Sequence, residues 1–345
     1  MSEENKTKLR IILSGGGVRG VYQAGVISRI MASGKYTIDE VYGCSIGALN
    51  APMIASGNVE ALVKYYLTPK VLDDVIERRS FLGIKLPNWD IIRYLSVLFK
   101  MGAYKRIRVE EMLWDVIDRE QFDSVKHKCH VVAYNVTKNV ETWFTGNRLL
   151  DGIRCSTALW LAVPPVEYEN DIFVDGGACE AFASNFVLQK DKLGNDVKFD
   201  GKYLFVDLDS RQYFTRTAPT NALALMSNIH TAALCKVAEL QERKLEALLG
   251  DDLIIIRPDH DTTVLTDAFD LDQTRIRQTL ELGYSDAERF LKTQDDINEG
   301  ITFNQVEFRR KIEHPEEEQQ PEQPEEQQPE QPEEEQQPEQ PEEQQ

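Results

Sequence analysis

The sequence predicts an α/β fold in three layers, a mainly parallel central sheet flanked by helices, and three observations carry that prediction. Short apolar runs alternate with longer stretches of helical spacing along most of the chain. Two strand-loop-helix units fill the first 56 residues. The first strand carries the consecutive apolar residues Ile11, Ile12 and Leu13, as a strand covered on both faces does. At 345 residues and 41% hydrophobic content, the chain can bury a large core without disulfides or a metal.

Taken in order, residues 8–14 (KLRIILS) form the first strand, followed by a glycine loop and a helix over 21–32. A second strand at 38–42 runs into GCSIG, and a helix follows over 48–55. Between 58 and 118 the pattern is helical and irregular, with 89–100 (WDIIRYLSVLFK) and 109–117 (VEEMLWDVI) as its best helices. Strand signals return at 129–136, 140–145, 172–174, 203–208 and 253–258. A long helical stretch at 221–249 and a last helix at 271–291 complete the alternation. No internal repeat and no linker divides residues 1–314. The organisation expected is an extension over 1–8, a catalytic core over 9–188, and the rest of the same α/β domain over 189–314.

Residues 315–345 contain only Pro, Glu and Gln, which cannot repay the entropy of ordering, so a disordered, extended tail is expected there. That tail holds 13 glutamates and no Lys or Arg, so of the formal charge of −19 only −6 belongs to residues 1–314. A mildly acidic globular part without a basic stripe argues against nucleic acid as a partner. A protein partner for the acidic tail is not specified by its composition. The five cysteines are odd in number and contain no CxxC pair, which fits free thiols in a reducing compartment. The polar N-terminus has no secretory apolar stretch, and no run reaches the ~18 apolar residues of a membrane span. A cytoplasmic protein is expected.

Three short motifs carry chemistry, each at a predicted strand end. Gly15-Gly16-Gly17-Val18-Arg19-Gly20 follows the first strand and opens a helix. Consecutive glycines let backbone N–H groups converge, and the helix N-terminus adds positive potential, so an anion or oxyanion is stabilised there. Gly43-Cys44-Ser45-Ile46-Gly47 has the nucleophile-elbow pattern, in which flanking glycines let the chain reverse tightly and leave the serine hydroxyl exposed. Asp175-Gly176-Gly177 places a carboxylate on a glycine turn after the strand 172–174, where it can enter the same crevice.

GGGVRG, then GCSIGALNA, then a Ser-Thr-Ala to Pro-Pro-Val stretch leading into DGG resembles the patatin-like phospholipase family over residues 9–188. The resemblance implies an α/β fold, lipid acyl hydrolysis of the phospholipase A or lysophospholipase type, and no metal or other cofactor. It makes Ser45 the nucleophile, Asp175 the general base and the backbone of Gly15, Gly16 and Gly17 the oxyanion hole, with Arg19 ordering that loop. Gly20, Gly43, Gly47, Gly176 and Gly177 complete the motifs. One departure concerns the acyl pocket: the family commonly has a proline four residues after the serine of its third block, whereas here Ser156 is followed by Trp160, with Pro164 and Pro165 beyond. A serine hydroxyl is a poor nucleophile without a base, and a base acting directly depends on surroundings that raise its proton affinity.

Three other readings remain open. An α/β-hydrolase triad requires a histidine among His127, His130, His230, His260 and His314; His127 and His130 are placed on opposite faces of one strand, and only His260 lies in a loop. A dinucleotide site fits GxGxxG but lacks an acidic residue at the end of the second strand. A non-enzymatic interaction protein acting through its tail is the third. The partner expected is a lipid or membrane-surface substrate, met by peripheral association. Segment 89–100, apolar around most of its circumference and flanked by Lys85, Arg93, Lys100, Lys105, Arg106 and Arg108, is either core or the rim through which lipid enters.

Overall fold

The computed structural model of the chain describes residues 6–68, 76–77, 80–81, 84–85, 106–159, 162–178, 199–208, 222–258 and 271–298. Two units divide the chain, Met1–Lys292 and Thr293–Gln345, and the sheet and candidate site belong to the first. The segment 89–100, the loop of His260 and the tail 315–345 lie outside the described residues.

Strand β1 (Thr7–Leu13) leads through a short 3-10 turn, Gly17–Arg19, into α1 (Gly20–Ala32). Strand β2 (Tyr36–Cys44) leads into α2 (Ile46–Ala55), and α3 (Val59–Tyr66) follows. Helix α2 starts two residues earlier than its apolar pattern indicates, because Ser45 itself is the turn and no linker separates strand from helix. Strands β3 (Ile76–Glu77), β4 (Ser80–Phe81), β5 (Ile84–Lys85) and β6 (Arg106–Ile107) form two small antiparallel ladders, β3 with β6 and β4 with β5.

Helix α4 (Val109–Val116) precedes α5 (Arg119–Val125), whose start is a capping box: Asp118 Oδ1 accepts the Gln121 N–H at 2.8 Å while Gln121 Oε1 accepts the Asp118 N–H at 3.0 Å. Then come β7 (Cys129–Asn135), β8 (Val140–Phe144), α6 (Leu149–Ser156), β9 (Val166–Tyr168) and β10 (Asp171–Asp175). Strand β11 (Lys202–Val206), α7 (Ala222–Leu249), β12 (Leu253–Ile256) and α8 (Gln273–Asn298) complete the described elements.

Among the described residues the main sheet has eight strands in the order β12-β11-β1-β2-β7-β10-β9, with β8 also on β7. The run from β12 to β7 is parallel, whereas β8, β9 and β10 are antiparallel to their neighbours. Side chains along β1 alternate between two cores, as the twofold period of a strand requires. Ile11 and Leu13 pack with Val21, Leu49 and Leu280 from α1, α2 and α8, while Ile12 packs with Tyr42, Phe205 and Leu245 of α7. Helices therefore cover both faces.

The register around β7 decides where the site forms. One edge of β7 carries β8 along residues 131–135. The other edge carries β2 as far as the pair Cys44–Val132, and immediately beyond it β10, which enters from the opposite direction and ends at the pair Asp175–Ala133. Strands β2 and β10 thus share one edge and meet C-terminus to C-terminus. Asp175 reaches the crevice on an antiparallel strand, a departure from the simple rule that ligands sit at the C-terminal edge of parallel strands.

Candidate active site

Where β2 and β10 meet, neither chain can continue along β7, so each leaves by a turn. After β2 the turn is Ser45, with φ 55° and ψ −120°, a conformation sparsely populated for any non-glycine residue and held only when its surroundings over-determine it. A Cβ on Gly43 would lie 2.3 Å from the Gly47 carbonyl oxygen, and one on Gly47 would lie 2.6 Å from the carbonyl oxygen of Leu13. The elbow packs backbone on backbone. After β10 the chain leaves over Val132: a Cβ on Gly176 would stand 2.6 Å from the Val132 oxygen.

These turns bring Ser45 and Asp175 together. The Ser45 hydroxyl donates to Asp175 Oδ2 at 2.6 Å, and the Gly177 N–H donates to Asp175 Oδ1 at 2.8 Å. The Cys44 thiol donates to the same Oδ1 at 3.8 Å. Asp175 is only 1% exposed. That burial pushes its carboxyl up to about 6, against the lowering effect of the bonds from Ser45, Gly177 and Cys44. Ser45, by contrast, is half-buried, so the hydroxyl is accessible while its partner carboxylate is not.

The glycine loop lies against this pair. A Cβ on Gly15 would be 3.1 Å from the Ser45 Cβ, and Gly15, Gly16 and Gly17 are all half-buried rather than covered. Arg19 ties the loop, its Nε donating to the Gly16 oxygen at 3.1 Å and its Nη1 to the Leu208 oxygen at 3.5 Å. A Cβ on Gly20 would lie 2.4 Å from Ile46 Cγ1, so the starts of α1 and α2 are in close contact. Beneath the loop, Gln23 donates to the Ser14 oxygen at 2.8 Å, and Asn50 donates to the Gly20 oxygen at 3.2 Å and to Gln23 at 3.0 Å. Tyr66 donates to Asn50 at 2.9 Å. This buried chain of bonds fixes the loop to α1, α2 and α3.

The motif residues Gly15, Gly16, Gly17, Arg19, Gly20, Gly43, Ser45, Gly47, Asp175, Gly176 and Gly177 therefore fall in one place. Of the candidate histidines, His127 and His130 do not join them, while His260 and His314 lie outside the described residues. His127 lies in the turn before β7 rather than on a strand face, with Gly146 packed against its ring. His130 is buried, stacked on Tyr42 at 5.0 Å between centroids, with its Nε2 3.6 Å from Glu40. Among the described residues no histidine hydrogen-bonds Ser45 or Asp175.

Two contacts were not legible in the motifs. Ser156, at the end of α6 and wholly buried, accepts the Ser45 N–H on its hydroxyl oxygen at 2.9 Å. Cys44 reaches the carboxylate although it sits inside the elbow pattern as its unspecified residue. The first signal available was the serine that opens the third block, and the second was adjacency to Ser45. Next to Ser156, Thr157 and Ala158 help line a cleft of about 200 Å³ with Val109, Val163, Pro164 and Val166.

Comparison with known proteins adds the following. A family model described as patatin-like phospholipase matches residues 11–188. Among curated proteins the chain is similar to the probable lipid hydrolase 463L of Invertebrate iridescent virus 6, with 22% identity over 205 residues, covering 55% of this chain and 67% of that protein. Among solved structures it is similar to VipD from Legionella pneumophila, at 14% identity and TM-score 0.40, covering 84% of this chain and 67% of that one. It is also similar to the type III effector protein ExoU, at 13% identity and TM-score 0.32, covering 83% of this chain and 53% of that one. The chain spans about half the length of ExoU.

Proposed function

The chain belongs to the patatin-like phospholipase family and is a lipid ester hydrolase, and we propose that it works through a Ser45–Asp175 dyad. The observation that carries this proposal is the 2.6 Å bond from the Ser45 hydroxyl to Asp175 Oδ2, made by a serine in a strained elbow and a carboxylate in a water-poor site. In the proposed first half-reaction Ser45 Oγ attacks the ester carbonyl carbon while Asp175 takes the hydroxyl proton. The tetrahedral intermediate then collapses, the C–O bond to the alcohol breaks, and Asp175 returns the proton to the leaving alcohol. Water repeats the sequence on the acyl-Ser45 ester and releases a carboxylic acid.

The carbonyl oxygen becomes negative in both intermediates and needs donors. The backbone N–H groups of Gly15, Gly16 and Gly17 are proposed for that role, with Arg19 holding the loop. Among the described residues no hydrogen bond occupies these N–H groups, and the loop lies beside Ser45. Losing one preorganised donor typically costs ~10²–10³ in turnover. A base that acts without an imidazole must hold appreciable proton affinity, and an Asp175 carboxyl near 6 supports its assignment.

The substrate class proposed is a phospholipid or lysophospholipid, met by peripheral association with a lipid surface. Among the described residues no helix is long and apolar enough to cross a membrane. The test uses Ser45→Ala and Asp175→Asn. Each is expected to lower hydrolysis of a short-chain nitrophenyl ester and fatty-acid release from phosphatidylcholine vesicles by at least about 10³-fold, with an unchanged circular-dichroism spectrum. A fluorophosphonate probe is expected to label wild type at Ser45 alone. Near-native turnover in Asp175→Asn would reject the dyad.

A further inference from the structure

Strands β2 and β10 abut end to end on one edge of β7 and share no ladder bond, so the sheet alone does not fix the gap between Ser45 and Asp175. A third segment touches both. Ser156, the last residue of α6, accepts the Ser45 N–H at 2.9 Å, and two residues later the Ala158 carbonyl accepts the Asp175 N–H at 2.9 Å. We infer that the turn at 156–158 acts as a caliper, and that Ser156 is a positioning residue holding Ser45 in its elbow conformation opposite Asp175. The inference rests on the proposed dyad.

The physical case has three parts. First, the Ser45 conformation is unfavourable in isolation, so something must favour it, and a bond to its own N–H acts at the strained residue itself. Second, that contact is buried: Ser156 is 0% exposed, and an unpartnered N–H facing its site would be costly. Third, the element carrying Ser156 is itself held tightly. A Cβ on Gly152 would lie 2.2 Å from the Phe144 Cβ and 2.8 Å from Val131 Cγ2, so α6 sits directly on β7 and β8. The Thr157 hydroxyl bonds the Ile153 oxygen at 2.9 Å, tightening the last turn. The caliper is anchored to the strand against which both dyad strands end.

The test is the set Ser156→Ala, Ser156→Thr and wild type, assayed with a soluble nitrophenyl ester and by amide hydrogen exchange at Ser45. Ser156→Ala is expected to lower kcat about 10- to 100-fold with KM within about twofold, since a small displacement of a reacting atom costs up to ~10². Fluorophosphonate labelling should slow in proportion, and the Ser45 amide should exchange at least about tenfold faster. Ser156→Thr, which restores the hydroxyl, should recover most of each loss. If the alanine variant does not fold, Ser156→Cys keeps the volume with a weak acceptor and should show the same losses. Wild-type exchange or wild-type kcat in Ser156→Ala would overturn the inference, as would losses that threonine does not reverse. Amide exchange distinguishes the two proposals: if Ser45→Ala keeps turnover, the dyad fails, whereas unchanged exchange in Ser156→Ala removes the caliper whatever Ser45 does.

Discussion

At the scale of single residues, the site is built from one accessible hydroxyl and one inaccessible carboxylate. Burial raises the proton affinity of Asp175, and three donors moderate it. On the proposed dyad, activity that needs Asp175 ionised rises with pH through an acidic limb near 6 and levels off above it. Cys44 sets part of that position, because its thiol favours the charged form from 3.8 Å. Cys44→Ala removes a donor from the carboxylate, so the limb in kcat/KM against pH should move to higher pH, with activity at pH 6 falling relative to pH 8. Cys44→Ser supplies a stronger donor and should move it the other way. A limb that stays in place in both variants would separate Cys44 from the base.

At the scale of elements, the site is a collision of two strands on one edge, relieved by glycine. Of the eight glycines named by the motifs, Gly43, Gly47 and Gly176 answer to close approach of neighbouring backbone, Gly15, Gly16, Gly20 and Gly177 face side chains, and Gly17 takes a positive φ of 61°. Gly47 meets the Leu13 carbonyl and Gly176 the Val132 carbonyl, so a methyl group at either has no flexible neighbour to displace. Gly47→Ala and Gly176→Ala should each destabilise the protein by about 1–3 kcal/mol or more, seen in the urea midpoint, as overpacking against backbone does. Unaltered midpoints would mean that the two strands are less tightly abutted than this geometry requires. Helices α5 and α6 and strand β9 escaped the sequence pattern for a related reason. Each is eight residues or shorter, and α6 contains Gly152, a poor helix former that the sheet surface demands.

At the scale of the whole molecule, the buried carboxylate links the proposed catalysis to stability. An acid whose folded value lies near 6, above its ordinary 3.8, binds more protons folded than unfolded between those values. The fold therefore loses stability as pH rises through that window, by an amount of order 3 kcal/mol, and loses no more above it. Asp175→Asn removes the penalty. Its stability relative to wild type should rise between pH 4 and pH 7 and stay constant at higher pH, measured by urea unfolding at several pH values. A constant difference over the whole range would show that the carboxylate is hydrated rather than buried.

The sequence by itself determined the α/β class, the order of most elements and the motif residues that the fold brings together around Ser45 and Asp175. Those features are written locally, in apolar periodicity and in glycines on either side of Ser45 and after Asp175. It also stated the chemistry that a serine needs, a base and an oxyanion cradle, though not the proton affinity of that base. Tertiary structure decided the rest. That β10 arrives antiparallel, that Asp175 stops one pair beyond Cys44 on the edge of β7, and that Ser156 and Ala158 grip both partners are facts of register between segments far apart in the chain. The placement of His130 against Tyr42 and Glu40, rather than beside Ser45, is of the same kind. Local propensity carries no record of register, because register is selected by which surfaces bury one another once the strands have met.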